Sequence, residues 1–452
     1  MGNLRRGRST RVLSFLAGGA AAALLPLAAF AADAPPPSEG KVEEAKAEVA
    51  KPEAAPVEVS KVDAASAAGA TVGPKKEPEK NAAEKALDTV ATATAGWFEK
   101  IKIRGYTQFR YNRLLETNEK LVNTQGDRSI GAKGGFFIRR ARIIIYGDVH
   151  DHVSVYFQPD FASAIDEQLN VAIMRDWYAD IFLDKGKQFR FRVGQSKVPY
   201  GFENLQSSQN RAPFDRSDAL NSAVKDERDI GAFFYFETKH ARKLFKDLVD
   251  TGLKGSGDYG VVGVGVYNGQ TANKPEKNDV PHVVARVAYP FELGSQVLEL
   301  GGGGYTGSFY VKKDEDIGGP DEFRDARVYA QAVLYPKPIG FQVEYNIGVG
   351  PELDVAASEV REKNLHGGYA MIMGKFGPVV PYVRGILYEG GRKFDTNAPS
   401  YSTRELEIGA EWQIIKPLEV TAAYTIAERT FPKKPYNQES GRFLRLQLQV
   451  NY

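Results

Sequence analysis

Arginine and lysine recur at positions of one parity in three stretches of the chain: Lys102, Arg104 and Arg110, then Arg140 and Arg142, then Arg190 and Arg192. Asp160, Asp176 and Asp180 fall among them. A guanidinium is a planar fork that donates paired hydrogen bonds to an oxyanion. A row of such forks suits repeated, weak anion contacts, because many weak sites in series let an ion leave as readily as it enters. Each arginine also has a plain structural reading, an ion pair between neighbouring strands. Other chemistry finds little support. His150-Asp151-His152 has metal-ligating residue types but falls in an expected tight turn, so no metal is assigned. Gly263, Gly265 and Gly269 lie in a strand-like run with no helix after it, which argues against a dinucleotide site. No nucleophile elbow, paired-carboxylate site or phosphate loop stands out, so neither an enzyme nor a cofactor is expected.

The elements that must position these charges are strands. In 101–111, Ile101, Ile103, Thr107, Phe109 and Tyr111 alternate with Lys102, Arg104, Tyr106, Gln108 and Arg110. The last stretch sets Leu444, Leu446, Leu448, Val450 and Tyr452 against Phe443, Arg445, Gln447, Gln449 and Asn451. A period of two is the repeat of a strand with one apolar and one polar face. Sixteen such segments begin near residues 101, 136, 153, 171, 188, 229, 259, 282, 296, 324, 339, 365, 378, 404, 418 and 442. Their links alternate between long and short. Long ones run from Leu115 to Gly135, Pro199 to Arg228, Asn268 to Pro281, Lys312 to Phe323, Gly350 to Lys363, Glu389 to Thr403 and Glu428 to Gly441. His240 to Asp258 breaks the rule, being long and basic where a short turn is due. The pattern predicts an all-β fold, an antiparallel transmembrane β-barrel of about 16 strands over residues 97–452. A soluble β-sandwich shares the alternation, but not the aromatic strand ends, the charged second face or the terminal aromatic strand. In the second strand, Arg140 and Arg142 are expected to face the lumen and Arg139 to snorkel at the outer rim.

Ahead of the barrel, Arg5, Arg6, Arg8 and Arg11, an apolar run from Val12 to Ala28, and Ala29-Phe30-Ala31 read as a signal peptide over residues 1–32. Residues 33–96 form an Ala/Pro/Glu/Lys-rich stretch, read as a disordered spacer. The chain has 452 residues, 59 Lys+Arg against 57 Asp+Glu, and no cysteine. A net charge of +2 excludes a typical nucleic-acid binder. The missing cysteines exclude disulfide scaffolds and thiolate sites. A mean hydropathy of -0.36 excludes a multi-helix transporter and leaves the barrel as the way to span a bilayer.

The runs FFIRRARI (136–143), YFQPDF (156–161), MRDWYAD (174–180), FRVGQSKVPYGFE (191–203), RDIGA (228–232) and VYNG (266–269) resemble the family of phosphate-selective porins O and P. The resemblance implies a sixteen-stranded barrel, usually a homotrimer, in the lipid of the bacterial outer membrane, passing small anions such as phosphate by passive diffusion. It also implies that the third outer loop folds inward to narrow the pore. That loop is the Pro199–Arg228 link, with Arg211, Arg216 and Lys225 as constriction candidates. Phosphate-binding members are expected to gather several lysines there, and only Lys197 and Lys225 lie near it.

Sorted by strand face, Lys102, Arg104, Arg110, Arg140, Arg142, Asp160, Arg190 and Arg192 are the pore-lining candidates, a basic arc over the first five strands. Later strands turn inward Arg286, Arg327, Arg384 and Arg445 but also Glu237, Glu299, Glu344, Glu405, Glu407, Glu411 and Glu419, an acidic arc. The reading is an outer-membrane porin with anion preference. The alternatives are a general diffusion porin with little preference, for which a basic arc facing an acidic one is also apt, and a structural envelope barrel.

Overall fold

The structure, a computed structural model, describes Gly96 and residues 98–115, 135–165, 168–431 and 437–452. The expected signal, nearly all of the spacer, and most of the Leu115–Gly135 link lie outside the described residues. So does part of the Glu428–Gly441 link.

The barrel begins with β1 (Ile101–Leu114), β2 (Gly135–His150), β3 (Val153–Ile165) and β4 (Gln168–Phe182). It continues with β5 (Phe189–Lys197), β6 (Arg228–Phe236), β7 (Val262–Tyr267) and β8 (His282–Leu293). The second half holds β9 (Gln296–Tyr310), β10 (Glu322–Leu334), β11 (Ile339–Asp354) and β12 (Glu359–Gly374). The last four are β13 (Val379–Gly391), β14 (Ser400–Ile415), β15 (Leu418–Phe431) and β16 (Asn437–Asn451). Each strand pairs antiparallel with its sequence neighbours, and β16 returns to β1 with Thr107 opposite Val450, so the sheet closes with no free edge. The expected sixteen strands are present.

Alternation fixes which way each side chain points. Along β8, Val283 and Val287 are about half exposed, whereas Val284 and Arg286 between them are buried. Phe136, Val328, Ile347 and Ile372 continue the apolar outer face. A face this extensive is stable against hydrocarbon.

Three features depart from the expected pattern. The Gly350–Lys363 link is largely strand, since β11 and β12 pair out to Asp354 and Glu359. Cross-strand pairs such as Lys363–Glu352 at 3.6 Å hold that hairpin, and its polar residues on both faces erase the alternation. Arg139 does not snorkel outward. A β-bulge pairs Gln108 with Arg140 but Phe109 with Ile138, so Arg139 and Arg140 both turn into the barrel and the outward parity changes at that point. The 240–258 segment is an insertion at the short-turn rim and contains a helix, described below.

One long link fills part of the interior. The Val198–Glu227 loop folds inward with two short helices, α1 (Phe202–Leu205) and α2 (Asp218–Asn221). Val198, Tyr200, Ala212, Phe214, Leu220 and Val224 form a core with Tyr305, Tyr329, Tyr369, Tyr382 and Tyr401 of the wall. Full burial of a large apolar side chain stabilises by about 1.5–3 kcal/mol, so this loop is part of the folded core. Gly201, at φ +81°, lets the chain turn beside β11; a Cβ there would lie 2.7 Å from Glu344 Oε1.

Candidate functional site

The inner loop is pinned by one carboxylate. Asp215 Oδ2 accepts from Arg110 Nη1 at 2.6 Å and lies 3.2 Å from Arg445 Nη1; Oδ1 accepts from Arg139 Nη2 at 3.0 Å and lies 3.6 Å from Arg140 Nη2. Burial alone would raise the Asp215 carboxyl, but the four guanidinium groups hold it well below the usual carboxylate range. From the opposite wall, Arg384 donates to Glu203 Oε1 at 2.6 Å, while Glu344 accepts the Phe202 and Glu203 amides at 2.8 and 3.0 Å.

Seated in this way, the loop leaves open space against the basic arc. An outer vestibule of about 740 Å³ lies toward the long-link rim. Its cationic lining comprises Arg139, Arg140, Arg142, Arg175, Arg216, Lys225, Lys274, Lys277, Lys312, Arg392 and Lys393, against only Asp226, Glu227 and Asp395. Several of these are paired. Arg142 Nε lies 2.8 Å from Asp160, Arg175 Nη1 is 2.9 Å from Asp226, and Arg216 pairs with Glu227. Lys225, Lys274, Lys277 and Lys312 have no carboxylate partner among the described residues. Lys393 pairs with Asp325, yet burial pushes its ammonium down to about 8. Deeper in the loop, burial pushes the Asp218 carboxyl up to about 6, with Glu405 adding to the effect, while Tyr401 donates to it at 2.8 Å.

A second cavity of about 210 Å³ lies toward the short-turn rim, between Arg104, Arg192, Lys197, Arg228 and the chain at Gly255–Tyr259. Arg142 lines both cavities, which marks the waist between them. Its Nη1 donates to Tyr106 Oη at 2.9 Å and to Ser208 Oγ at 3.2 Å.

The structure thus sorts the sequence-predicted residues. Arg140, Arg142, Arg216 and Lys225 line the vestibule; Arg104 and Arg192 line the inner cavity. Asp160 is the waist partner of Arg142. Arg192 pairs with Asp180 at 2.7 Å and lies 3.8 Å from the Tyr178 ring centre. Arg110 and Arg190 are structural anchors, to Asp215 and to Asp258 respectively. Arg211 is buried within the loop, where it donates to the Phe214 carbonyl at 3.4 Å, and Lys102 is exposed near the short-turn rim; neither lines these cavities. Sequence reasoning put Arg139 at the outer rim and passed over Arg175, Lys274, Lys277, Lys312, Arg392 and Lys393. Five of these sit in the long links, where a recurrence of basic residues was the available signal.

The acidic arc has a different setting. Glu299 accepts from Tyr335 Oη and Gln331 Nε2 at 2.6 and 2.8 Å, Glu407 pairs with Arg445, and Glu411 pairs with Lys254. None of these carboxylates lines either cavity.

A closed strand cylinder with an apolar outer face and a charged, partly open interior defines a transmembrane β-barrel channel. Residues 121–452 match the family described as Phosphate-selective porin O and P, and the chain belongs to it. It is a porin of the bacterial outer membrane that passes small ions, with the fold and family of a channel rather than an enzyme. Among solved structures, the outer membrane channel DcaP of Acinetobacter baumannii is similar, with 11% identity and a TM-score of 0.51, covering 78% of this chain and 97% of that one. Weaker likenesses include an anion-selective porin from Comamonas acidovorans, at 9% identity and TM-score 0.45, covering 78% and 99% of the two chains. OmpF of Salmonella typhi, in complex with daunomycin, has 12% identity and TM-score 0.48, covering 78% and 97%. At these identities the likeness concerns the fold alone. No curated protein matches the chain significantly.

Proposed function

We propose that this porin passes small anions, phosphate among them, from the outer vestibule past the Arg142 waist into the inner cavity. One observation carries the reading: the vestibule is lined by many more cations than carboxylates, and four of its lysines lack a carboxylate partner among the described residues. Two unit charges 4 Å apart interact by about 1 kcal/mol in water and about 4 kcal/mol at an effective dielectric of 20, so a narrow lining amplifies its own sign. The arginine forks suit the tetrahedral oxygens of phosphate, and the exposed lysines raise the local anion concentration at the entrance.

Planar-bilayer recordings across a salt gradient test this directly. The expected reversal potential has the anion sign, with phosphate reducing the chloride current; a cation sign refutes the reading. A general diffusion porin draws support from the pairing of Arg142, Arg192 and Arg228 with Asp160, Asp180 and Asp176, which offsets part of the field. Its signature is a reversal potential near zero.

Export fits the same reading. Residues 1–32 act as the signal, residues 33–96 as a spacer, and the mature chain begins at Ala32 or Asp33, which intact mass will show. The channel assembles as a homotrimer, a state that size measurements in detergent can test.

A further inference from the structure

The insertion at the short-turn rim is folded into the barrel mouth. Its helix, α3 (Lys239–Asp250), starts at Thr238, whose hydroxyl accepts the Ala241 amide at 3.2 Å. Ala241, Phe245 and Leu248 share its buried face, at the spacing of an amphipathic helix. Leu248 and the following Leu253 pack on Phe202 of the inner loop and on Val297, Val333 and Tyr335 of the wall. At Gly252, φ +70°, the chain leaves the helix by a left-handed cap, with the Gly252 and Leu253 amides donating to the Val249 and Leu248 carbonyls at 2.9 and 3.1 Å.

From there the segment crosses beneath the inner loop. Lys254 reaches Glu411 on β14, and both side chains are 2% exposed. Gln206 and Asn210 of the inner loop donate to the carbonyls of Lys254 and Gly255 at 2.6 and 2.5 Å. On the return, Arg190 of β5 holds Asp258 at 3.2 Å and Arg286 of β8 donates to the Tyr259 carbonyl at 2.9 Å. The inner cavity is the gap left between this segment and Arg104, Arg192 and Arg228.

We propose that the 237–261 insertion is a second constriction element, the wall that turns the barrel's inner mouth into an arginine-faced slot and sets its conductance. Lys254–Glu411 is the latch that holds this wall across the mouth. The proposal rests on the porin assignment and is independent of the sign of selectivity. A cation-sign reversal potential in the unaltered protein would overturn the anion reading and leave this one standing.

The chain has no cysteine, so Ser256→Cys places a single thiol in the slot of the full-length porin. A sulfonate-bearing methanethiosulfonate added to the short-turn side is expected to lower single-channel current by about half or more, as an obstruction in a narrow pore should. Full modification by intact mass with unchanged current overturns the proposal. In a second variant, residues 238–260 are replaced by Asn-Gly, a turn suited to joining β6 and β7. Its conductance is expected to rise about twofold or more, and channels of unaltered conductance overturn the proposal. Should that chain not assemble, Lys254→Met with Glu411→Met takes its place: larger or noisier openings are expected, and recordings like those of the unaltered porin overturn the proposal.

Discussion

The wall of this barrel has two arcs of opposite charge with unequal access to the lumen. Over β1–β5, Arg104, Arg139, Arg140, Arg142, Arg175 and Arg192 stand beside open space, and Arg142 touches both cavities. Over β9–β14 the carboxylates lie under protein: Glu344 caps the start of α1, Glu407 holds Arg445, and Glu411 latches the inner insertion. Both arcs alternate with the same period, and both turn their charges inward. The difference comes from what covers them. The inner loop packs its apolar side chains on the tyrosines of the acidic side, and the insertion closes the same side from below. A buried acidic wall contributes to loop placement, whereas the basic wall contributes to the field along the path. The same charge count could therefore serve a balanced transverse field or a biased one, depending on where the loops settle.

The comparison is most sharply broken at Asp215, which ties the covering loop to the basic arc. Asp215→Ala leaves Arg110, Arg139, Arg140 and Arg445 clustered around a missing counter-charge. Removing one partner of a buried pair costs roughly 3–5 kcal/mol, so the inner loop should loosen and the melting temperature in detergent should fall. Unchanged melting, with the loop as protease-resistant as before, would show that other contacts seat it.

Next in size is the open arc itself. Arg140→Glu with Arg142→Gln is expected to lower the anion-to-cation permeability ratio about fivefold, the equivalent of roughly 1 kcal/mol. Reversal potentials measure it, and an unaltered ratio would place both side chains outside the conduction route. The covered arc should behave otherwise. Glu299→Gln keeps an acceptor for Tyr335 and is expected to leave the ratio within about a factor of two. A larger shift would mean that the acidic wall is felt by the permeating ion.

The smallest expected effect is titration of one vestibule cation. With its ammonium held down to about 8 by burial, Lys393 is charged at neutral pH and loses its proton as pH rises through that value. Anion preference should therefore weaken slightly between about pH 7 and pH 9, and Lys393→Gln should abolish this step. A step that persists in the variant belongs to another group.

The strand pattern was legible because lipid outside and water or packed polar groups inside impose opposite demands on alternate residues. This alternation located sixteen strands, the bounds of the inward-folding link and the inward parity of Arg140, Arg142 and Arg192. It failed at Arg139, where a bulge adds one residue and changes the outward parity. It also failed at residues 350–363, where the hairpin's polar residues on both faces leave period two without contrast. The long 240–258 link stood out by length and charge, but its fate depended on Leu248 and Leu253 finding Phe202 and Val297, contacts distant in sequence.

Local sequence thus determined the barrel, since each residue's choice between hydrocarbon and the interior is made by its own side chain and its immediate neighbours. The partners of the charges were decided only by tertiary structure. Asp215 lies 105 residues from Arg110 and 230 from Arg445, and no spacing rule links such positions. Closing the sheet and folding two links into it brings them within hydrogen-bond reach. That placement decides which charges face water and which hold protein in place.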